Sequence, residues 1–154
     1  MATDRELILK WWSDAWTEGL WAASWSKSLE GLTPEQAAWR PPSAPGVAGE
    51  RKSIWQNVLH MIFWRESWLR RAATGQKPTK EEVDAGNLPA IPEVSQAAWD
   101  ATRRRFEDTQ QRMAAAIADP ATADKPLIYF LPHDCYHFGQ VNYLRGMLGL
   151  APIE

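Results

Sequence analysis

The fold is decided by the last long stretch of the chain, residues 126–150, which reads PLIYFLPHDCYHFGQVNYLRGMLGL. On a helical wheel centred on His133, most of its apolar residues fall within about a third of a turn on either side. This spacing predicts an amphipathic helix with His133 and His137 one turn apart and pointing inward, and with Asp134 and Arg145 forming a pair at its rim. Pro132 predicts either a kink just before His133 or a new segment that begins there.

Three further helical stretches precede this one. The apolar period places them at about 3 or 4 to 29, 54 to 74, and 93 or 95 to 118. The second follows a capping box formed by Ser53 and Gln56, and the first is ended by Gly31. The segments 32–46 and 75–92 are rich in turn residues and are predicted to be connections, the second long enough to cross the molecule. No alternating run of β-branched residues predicts a strand, so the sequence predicts an all-α chain.

Length and charge limit the classes of protein that remain. The 154 residues predict a single domain, 1–154, with a sizeable core, and 17 basic against 19 acidic residues argue against nucleic-acid binding. No apolar run approaches the ~18–20 residues needed to cross a bilayer, and the start of the chain lacks the pattern of a signal peptide. One cysteine excludes an internal disulfide. We therefore expect a cytoplasmic protein without membrane or nucleic-acid partners.

The three histidines of the chain are the main indication of chemistry. His133 and His137, at i and i+4, lie over the same patch of one helix, and His60 on the second predicted helix can supply a third ligand. Three imidazoles with an open position are typical of a catalytic site for zinc or, alternatively, nickel. The alternative is that each histidine is separately hydrogen-bonded in the core. Cys135 points ~200° away from His133 and is not expected to be a ligand.

Residues around the histidines favour a metal site with a pocket. Asn57, Tyr136 and Gln140 share faces with the histidines and can hold their ring N–H groups or a bound water. Trp64 and Trp68 are the aromatic residues expected to meet a hydrophobic or electrophilic small-molecule substrate.

Ten tryptophans are many for this length. The first two predicted helices are apolar on two sides, and a bundle buries one side of each in its centre. The outer sides therefore predict a homodimer.

The motifs also carry a family resemblance. His60 follows Trp-Arg-Pro-Pro at 39–42 and precedes Phe-Trp-Arg-Glu-Ser-Trp-Leu at 63–69. Residues 133–145 read His-x-x-Tyr-His-x-Gly-Gln-Val-x-x-Leu-Arg. Together with the order of helices and loops over nearly the whole chain, these residues resemble the DinB-like superfamily, also called YfiT-like.

This resemblance implies a four-helix bundle of up-down-down-up topology that binds a divalent metal through His60, His133 and His137. Characterised members are mostly thiol-dependent, among them bacillithiol or mycothiol S-transferases and a maleylpyruvate isomerase, and many others are described as metal-dependent hydrolases. We therefore expect a metal-dependent transferase that uses a low-molecular-weight thiol, or a hydrolase. The alternative is a non-catalytic metal-binding or stress-related dimer.

Overall fold

A computed structural model describes residues 4–43, 45–46, 48–91, 93–122 and 124–153. Over these residues the chain is all-α, as predicted, and contains no strand. The helices are α1 (Asp4–Thr17), α2 (Trp25–Ser28), α3 (Pro34–Ala38), α4 (Ile54–Thr74), α5 (Lys80–Gly86), α6 (Gln96–Ala118) and α7 (Asp124–Met147). None of the described helices is long and apolar enough to span a membrane.

The bounds of α4 and α6 follow their local capping residues. Ser53 and Gln56 form the predicted capping box at the start of α4, and the left-handed Gly75 ends it. The hydroxyl of Ser95 accepts from the backbone of α6, which ends at Ala118 as predicted. The sequence therefore predicted both bounds of α4 and the end of α6, whereas α6 starts slightly later than predicted.

The prediction of one continuous first helix is wrong, because the chain breaks between α1 and α2. Gly19 has φ +87°, and a Cβ there would lie 2.0 Å from the carbonyl oxygen of Ala22. Trp21 also has a positive φ of 61°. The turn brings Trp25 back onto α1, where its ring meets that of Trp12 edge to face at 5.2 Å.

Both predicted connections contain a short helix. α3 and α5 begin with capping boxes, Thr33 with Gln36 and Thr79 with Glu82. These Thr-x-x-Gln and Thr-x-x-Glu patterns were present in the sequence, and the neighbouring prolines and glycines concealed them. α5 packs against α4 so closely that a Cβ on Gly86 would lie 2.4 Å from the ring of Phe63.

The long helices surround a core rich in tryptophan. α1 and α4 each pack against both α6 and α7. Half of the ten tryptophans are buried, and three of these satisfy the indole N–H inside the protein. Trp12 donates to Gln110 O, Trp55 to Thr102 Oγ1 and Trp99 to Leu32 O, at 3.2, 2.9 and 3.1 Å.

α7 runs through Pro132 as one helix and not as two segments. Its buried side differs from the predicted one by about a quarter of a turn. Phe138, assigned to the far side, is buried, whereas Tyr136, assigned to the inward side, is 64% exposed. The histidines consequently lie at the edge of the core, between buried and exposed faces.

We expect Gly19→Ala to lower the free energy of unfolding by about 2–3 kcal/mol, because an alanine there combines backbone strain with a collision against Ala22. Gly31 is a matched control, since its φ is +68° but nothing lies within 4 Å of its added Cβ. Urea denaturation of both variants measures the difference. Equal losses for the two alanines would contradict the close approach at Gly19.

Candidate metal centre

Three imidazoles from α4 and α7 meet at one point. His60 comes from α4, and His133 and His137 come from successive turns of α7. One ring nitrogen of each lies within 4.8 Å of the corresponding nitrogens of the other two. The helix spacing therefore places the α7 pair, and the packing of α4 on α7 adds the third histidine.

The other ring nitrogen of each histidine donates to an oxygen. Nδ1 of His60 donates to the carbonyl oxygen of Asn87 at 2.6 Å, and Nδ1 of His133 donates to Asp134 Oδ1 at 2.7 Å. Because neither oxygen carries a proton to give, both histidines hold their proton on Nδ1. Their Nε2 lone pairs are left free.

His137 is held by two side-chain amides. Its Nδ1 lies 2.8 Å from Gln140 Oε1 and 3.1 Å from Asn57 Oδ1. The amide of Asn57 is oriented by its donation to the carbonyl oxygen of Ser53, and that of Gln140 by its donation to the hydroxyl of Tyr136. His137 therefore also carries its proton on Nδ1.

The free nitrogens are arranged as ligands of one small cation. Nε2 of His60 lies 3.2 Å from Nε2 of His133, which brings two lone pairs face to face. A tetrahedral ion with bonds of ~2.0–2.1 Å separates its nitrogen ligands by about 3.3 Å. The donor set and this separation both fit a zinc-like ion.

The carboxylate behind His133 is itself fixed by a buried cation. Arg65 and Asp134 have fully buried side chains, and Arg65 Nε and Nη2 both lie 2.8 Å from Asp134 Oδ2. The predicted rim pair of Asp134 with Arg145 is therefore wrong, because α7 is rotated. Arg145 instead donates to the backbone oxygens of Ser28 and Glu30.

Aromatic rings enclose the Arg65 guanidinium. Its carbon lies 4.1, 4.8 and 5.6 Å from the ring centroids of Phe106, Trp12 and Trp25. Nη1 donates to Thr109 Oγ1 at 3.2 Å. These contacts compensate in part for the lost hydration of a buried cation.

Burial favours the neutral form of His137 and of His60. It lowers the pKa of His137 to about 4, helped by the like charges that His60 and His133 would carry. Burial likewise lowers the pKa of His60, against the raising effect of its bond to Asn87. Neutral imidazoles are the form that binds metal, so protons compete with a metal for His137 only in acidic solution.

A cavity of about 580 Å³ opens over the three histidines. Aromatic residues form most of its wall, and Trp64 is fixed by donating its indole N–H to Asn87 Oδ1 at 2.7 Å. The lining residues are His60, Trp64, Asn87, Tyr129, Phe130, His133, Tyr136 and His137.

Comparison with protein families identifies the family of this chain. A family model described as the DinB superfamily matches residues 18–150, which include the whole histidine cluster. The chain belongs to the DinB superfamily. Comparison with curated proteins and with solved structures gives no match.

Most residues predicted to surround the centre of this DinB-superfamily chain lie close to it. Asn57 and Gln140 hold His137, and Tyr136 and Trp64 line the cavity. Trp68 does not line it, because it is buried with its ring 6.0 Å from that of Phe130, which does. The roles of these residues remain predictions.

Cys135 stands apart from the histidine cluster of this DinB-superfamily chain, which consists of three imidazoles. Burial raises the pKa of its thiol, and the charge of Asp134 acts in the same direction. A thiol with a raised pKa is a poor nucleophile at neutral pH.

Two hydrogen-bond partners of the histidines, Asn87 and Asp134, were not predicted from the sequence. Asn87 lies in the predicted loop and had no signal. The pair of Asp134 and Arg65 did leave a signal in the sequence. Arg65 falls three residues after Ile62 and seven after Val58, on an apolar face of α4. A cation on an apolar face predicts a buried anion nearby.

We expect Asp134→Asn to lower the free energy of unfolding by about 3–5 kcal/mol, because it leaves the Arg65 cation buried without an anion. Adding Arg65→Met should recover part of this loss. Urea denaturation of the single and double variants in the presence of EDTA measures the coupling. Glu66→Gln is the control, since Glu66 pairs with Arg105 at the surface and should cost less than ~1 kcal/mol. An Asp134→Asn protein as stable as the parent would contradict the assigned pair.

Proposed function

We propose that this DinB-superfamily chain is a divalent-metal-dependent enzyme that transfers a low-molecular-weight thiol to a small electrophile. The observation that carries the proposal is the convergence of three imidazoles that all keep their protons on the outward nitrogen, at the floor of an aromatic cavity. Zinc is the ion we favour, with nickel second, because both accept imidazole ligands.

The chain's own residues supply the setting for the chemistry. Three neutral ligands leave the full charge of a bound divalent ion, which lowers the pKa of a thiol or water held beside it. Trp64, Phe130 and Tyr136 line the cavity and favour an apolar electrophile. Asp134 orients His133 and, being fully buried and occupied by Arg65, does not reach a substrate.

The make-up of the cavity wall favours thiol transfer over hydrolysis. Among the described residues that line the cavity there is no Asp, Glu, Lys or Cys. Hydrolysis at this site would lack a side-chain carboxylate to move the protons of water and leaving group. A thiol, once deprotonated, attacks without a further base, which suits this wall.

A non-catalytic metal-binding or stress-related scaffold is the second candidate. The same absence of a carboxylate from the described lining residues favours it, because three histidines can retain a metal without turnover. The two candidates differ in activity and agree on metal content.

The overall arrangement that we propose is the up-down-down-up four-helix bundle of the family, within one domain over 1–154. It is supported by the packing of α1 and α4 on both α6 and α7. The connection over 75–95, which contains α5, is long enough to span the length of a helix.

We also propose a homodimer through the outer side of α1. The outer side of α4 is covered by α5, through the contact of Gly86 with Phe63, so it does not supply the predicted surface. Leu7 and Trp11, one turn apart on α1, are 39% and 43% exposed and form an apolar patch.

Protein purified without a nickel column should contain close to one zinc or other first-row ion per chain by elemental analysis. His60→Ala, His133→Ala and His137→Ala should each lose tight retention, because two imidazoles remain. Cys135→Ala is the matched control and should retain the metal. Metal content that survives His60→Ala would refute the assigned ligands.

The activity is tested with the zinc-loaded protein, cysteine as a simple thiol and 1-chloro-2,4-dinitrobenzene as electrophile. We expect the protein to raise the rate of conjugation above the uncatalysed rate. EDTA should remove this increase, and His60→Ala should not show it. Hydrolysis of 4-nitrophenyl acetate without thiol conjugation would replace the proposed reaction with metal-dependent hydrolysis. Metal retention without either activity, over a panel of thiols and electrophiles, would favour the scaffold.

Light scattering at micromolar concentration should give twice the 17.5 kDa of one chain. Trp11→Arg should give the monomer mass, because it places a charge in the apolar patch. Val94→Arg, also at an exposed apolar residue, should leave the dimer intact. A monomer mass for the parent protein would refute the homodimer.

A further inference from the structure

A second cavity, of about 790 Å³, opens beside the one over the histidines. Tyr136 lines both cavities, so they share a wall. Asn57 and Gln140, the two amides that hold His137, also line the second cavity. We call this second cavity the lateral groove. Its volume is typical of sites that bind small organic molecules.

One side of the lateral groove carries uncompensated positive charge. Glu50 lines it, but its carboxylate is paired with Arg40 at 2.6 Å. Arg51 and Lys52 line it too, and neither forms an ion pair or a side-chain hydrogen bond with any residue that the structure describes. Ser53, the N-cap of α4, follows them in the chain, so the positive end of α4 adds to the same field.

The other side of the groove carries two exposed tyrosines of α7. Tyr136 and Tyr143 lie seven residues apart on α7, hence on one face, and are 64% and 72% exposed. Gly139 lies between them, and a Cβ there would meet nothing within 4 Å. Met147 extends the apolar surface by one turn. A planar ligand can therefore lie against the helix backbone between two tyrosine rings.

We propose that the lateral groove binds an organic anion that has a flat apolar body. Arg51 and Lys52 receive its carboxylate, because cations without partners form strong hydrogen bonds to an anion. Its apolar body lies over Gly139 between Tyr136 and Tyr143. A ligand in this position approaches the cavity over the histidines across Tyr136. It is therefore placed to react with a molecule bound in that cavity. Only this last role rests on the proposed function.

The test uses two ligands that differ in charge and little in shape, naphthalene-2-carboxylate and naphthalene-2-carboxamide. Calorimetric titration of the full chain should give affinity about tenfold higher for the carboxylate, as expected for one charge-assisted hydrogen bond. Arg51→Gln and Lys52→Gln should each reduce that preference. Lys77→Gln is the control, because Lys77 is an exposed cation outside the groove. Equal affinities for the acid and the amide would overturn the proposal.

Gly139→Leu tests the location of the binding site. The Cβ of the added side chain meets nothing within 4 Å, and leucine is a better helix former than glycine, so the variant should fold as the parent does. It should abolish binding of both ligands while its circular dichroism is unchanged. Carboxylate binding that survives Gly139→Leu would overturn the proposal.

Each titration is carried out on zinc-loaded and on EDTA-treated protein, which separates this proposal from the proposed function. Carboxylate binding that is the same in both preparations and lost in Gly139→Leu supports the lateral groove, even if the histidines bind no metal. Binding that requires zinc and is lost in His60→Ala places the carboxylate on the metal and overturns the groove assignment.

Discussion

The rest of the structure depends on the ion pair between Arg65 and Asp134. Both side chains are fully buried and join α4 to α7 in the centre of the protein. A buried pair of this kind contributes little net stability, because desolvation offsets the attraction, but loss of one partner is costly. Its effect here is to orient α4, α7 and the ring of His133 relative to one another. Arg65 donates to Oδ2 of Asp134, and Oδ1 accepts a hydrogen bond from Nδ1 of His133. Asp134 therefore both joins α4 to α7 and sets the direction of the candidate ligand His133.

The burial of the Arg65 cation explains both the aromatic rings around it and the turn of the chain at Gly19. A buried guanidinium needs polarizable surroundings, which Trp12, Trp25 and Phe106 provide at 4.1–5.6 Å. Trp25 can reach this place only because the chain turns back at Gly19, where a side chain would strike the backbone. Part of the tryptophan content therefore serves the interior of the protein. Trp64, by contrast, lines the cavity over the histidines.

The quarter-turn rotation of α7 determines both where the histidines of the candidate centre lie and how open they are to a cavity. With Asp134 and Phe138 turned into the core, the histidines lie at its edge, where one side of each ring meets fixed oxygens and the other meets a cavity. Burial is deep enough to keep His137 neutral, with a pKa of about 4, yet leaves an open approach. The same rotation exposes Tyr136, which lies between the cavity over the histidines and the lateral groove. The rotation of α7 thus accounts both for the meeting of the three histidines and for the open cavity beside them.

The sequence by itself determined the helical class, the bounds of α4, the end of α6, the family and the three histidines, because capping boxes, apolar periods and His-x-x-x-His spacing are local properties. Only the tertiary structure decided the break after α1, the rotation of α7 and the pairing of Asp134 with Arg65, 69 residues away. It also brought the Asn87 carbonyl to His60 from a segment predicted to be a loop. A period shows which residues share a face of a helix. Which neighbour that face meets depends on packing and on the cost of leaving a buried charge unpaired.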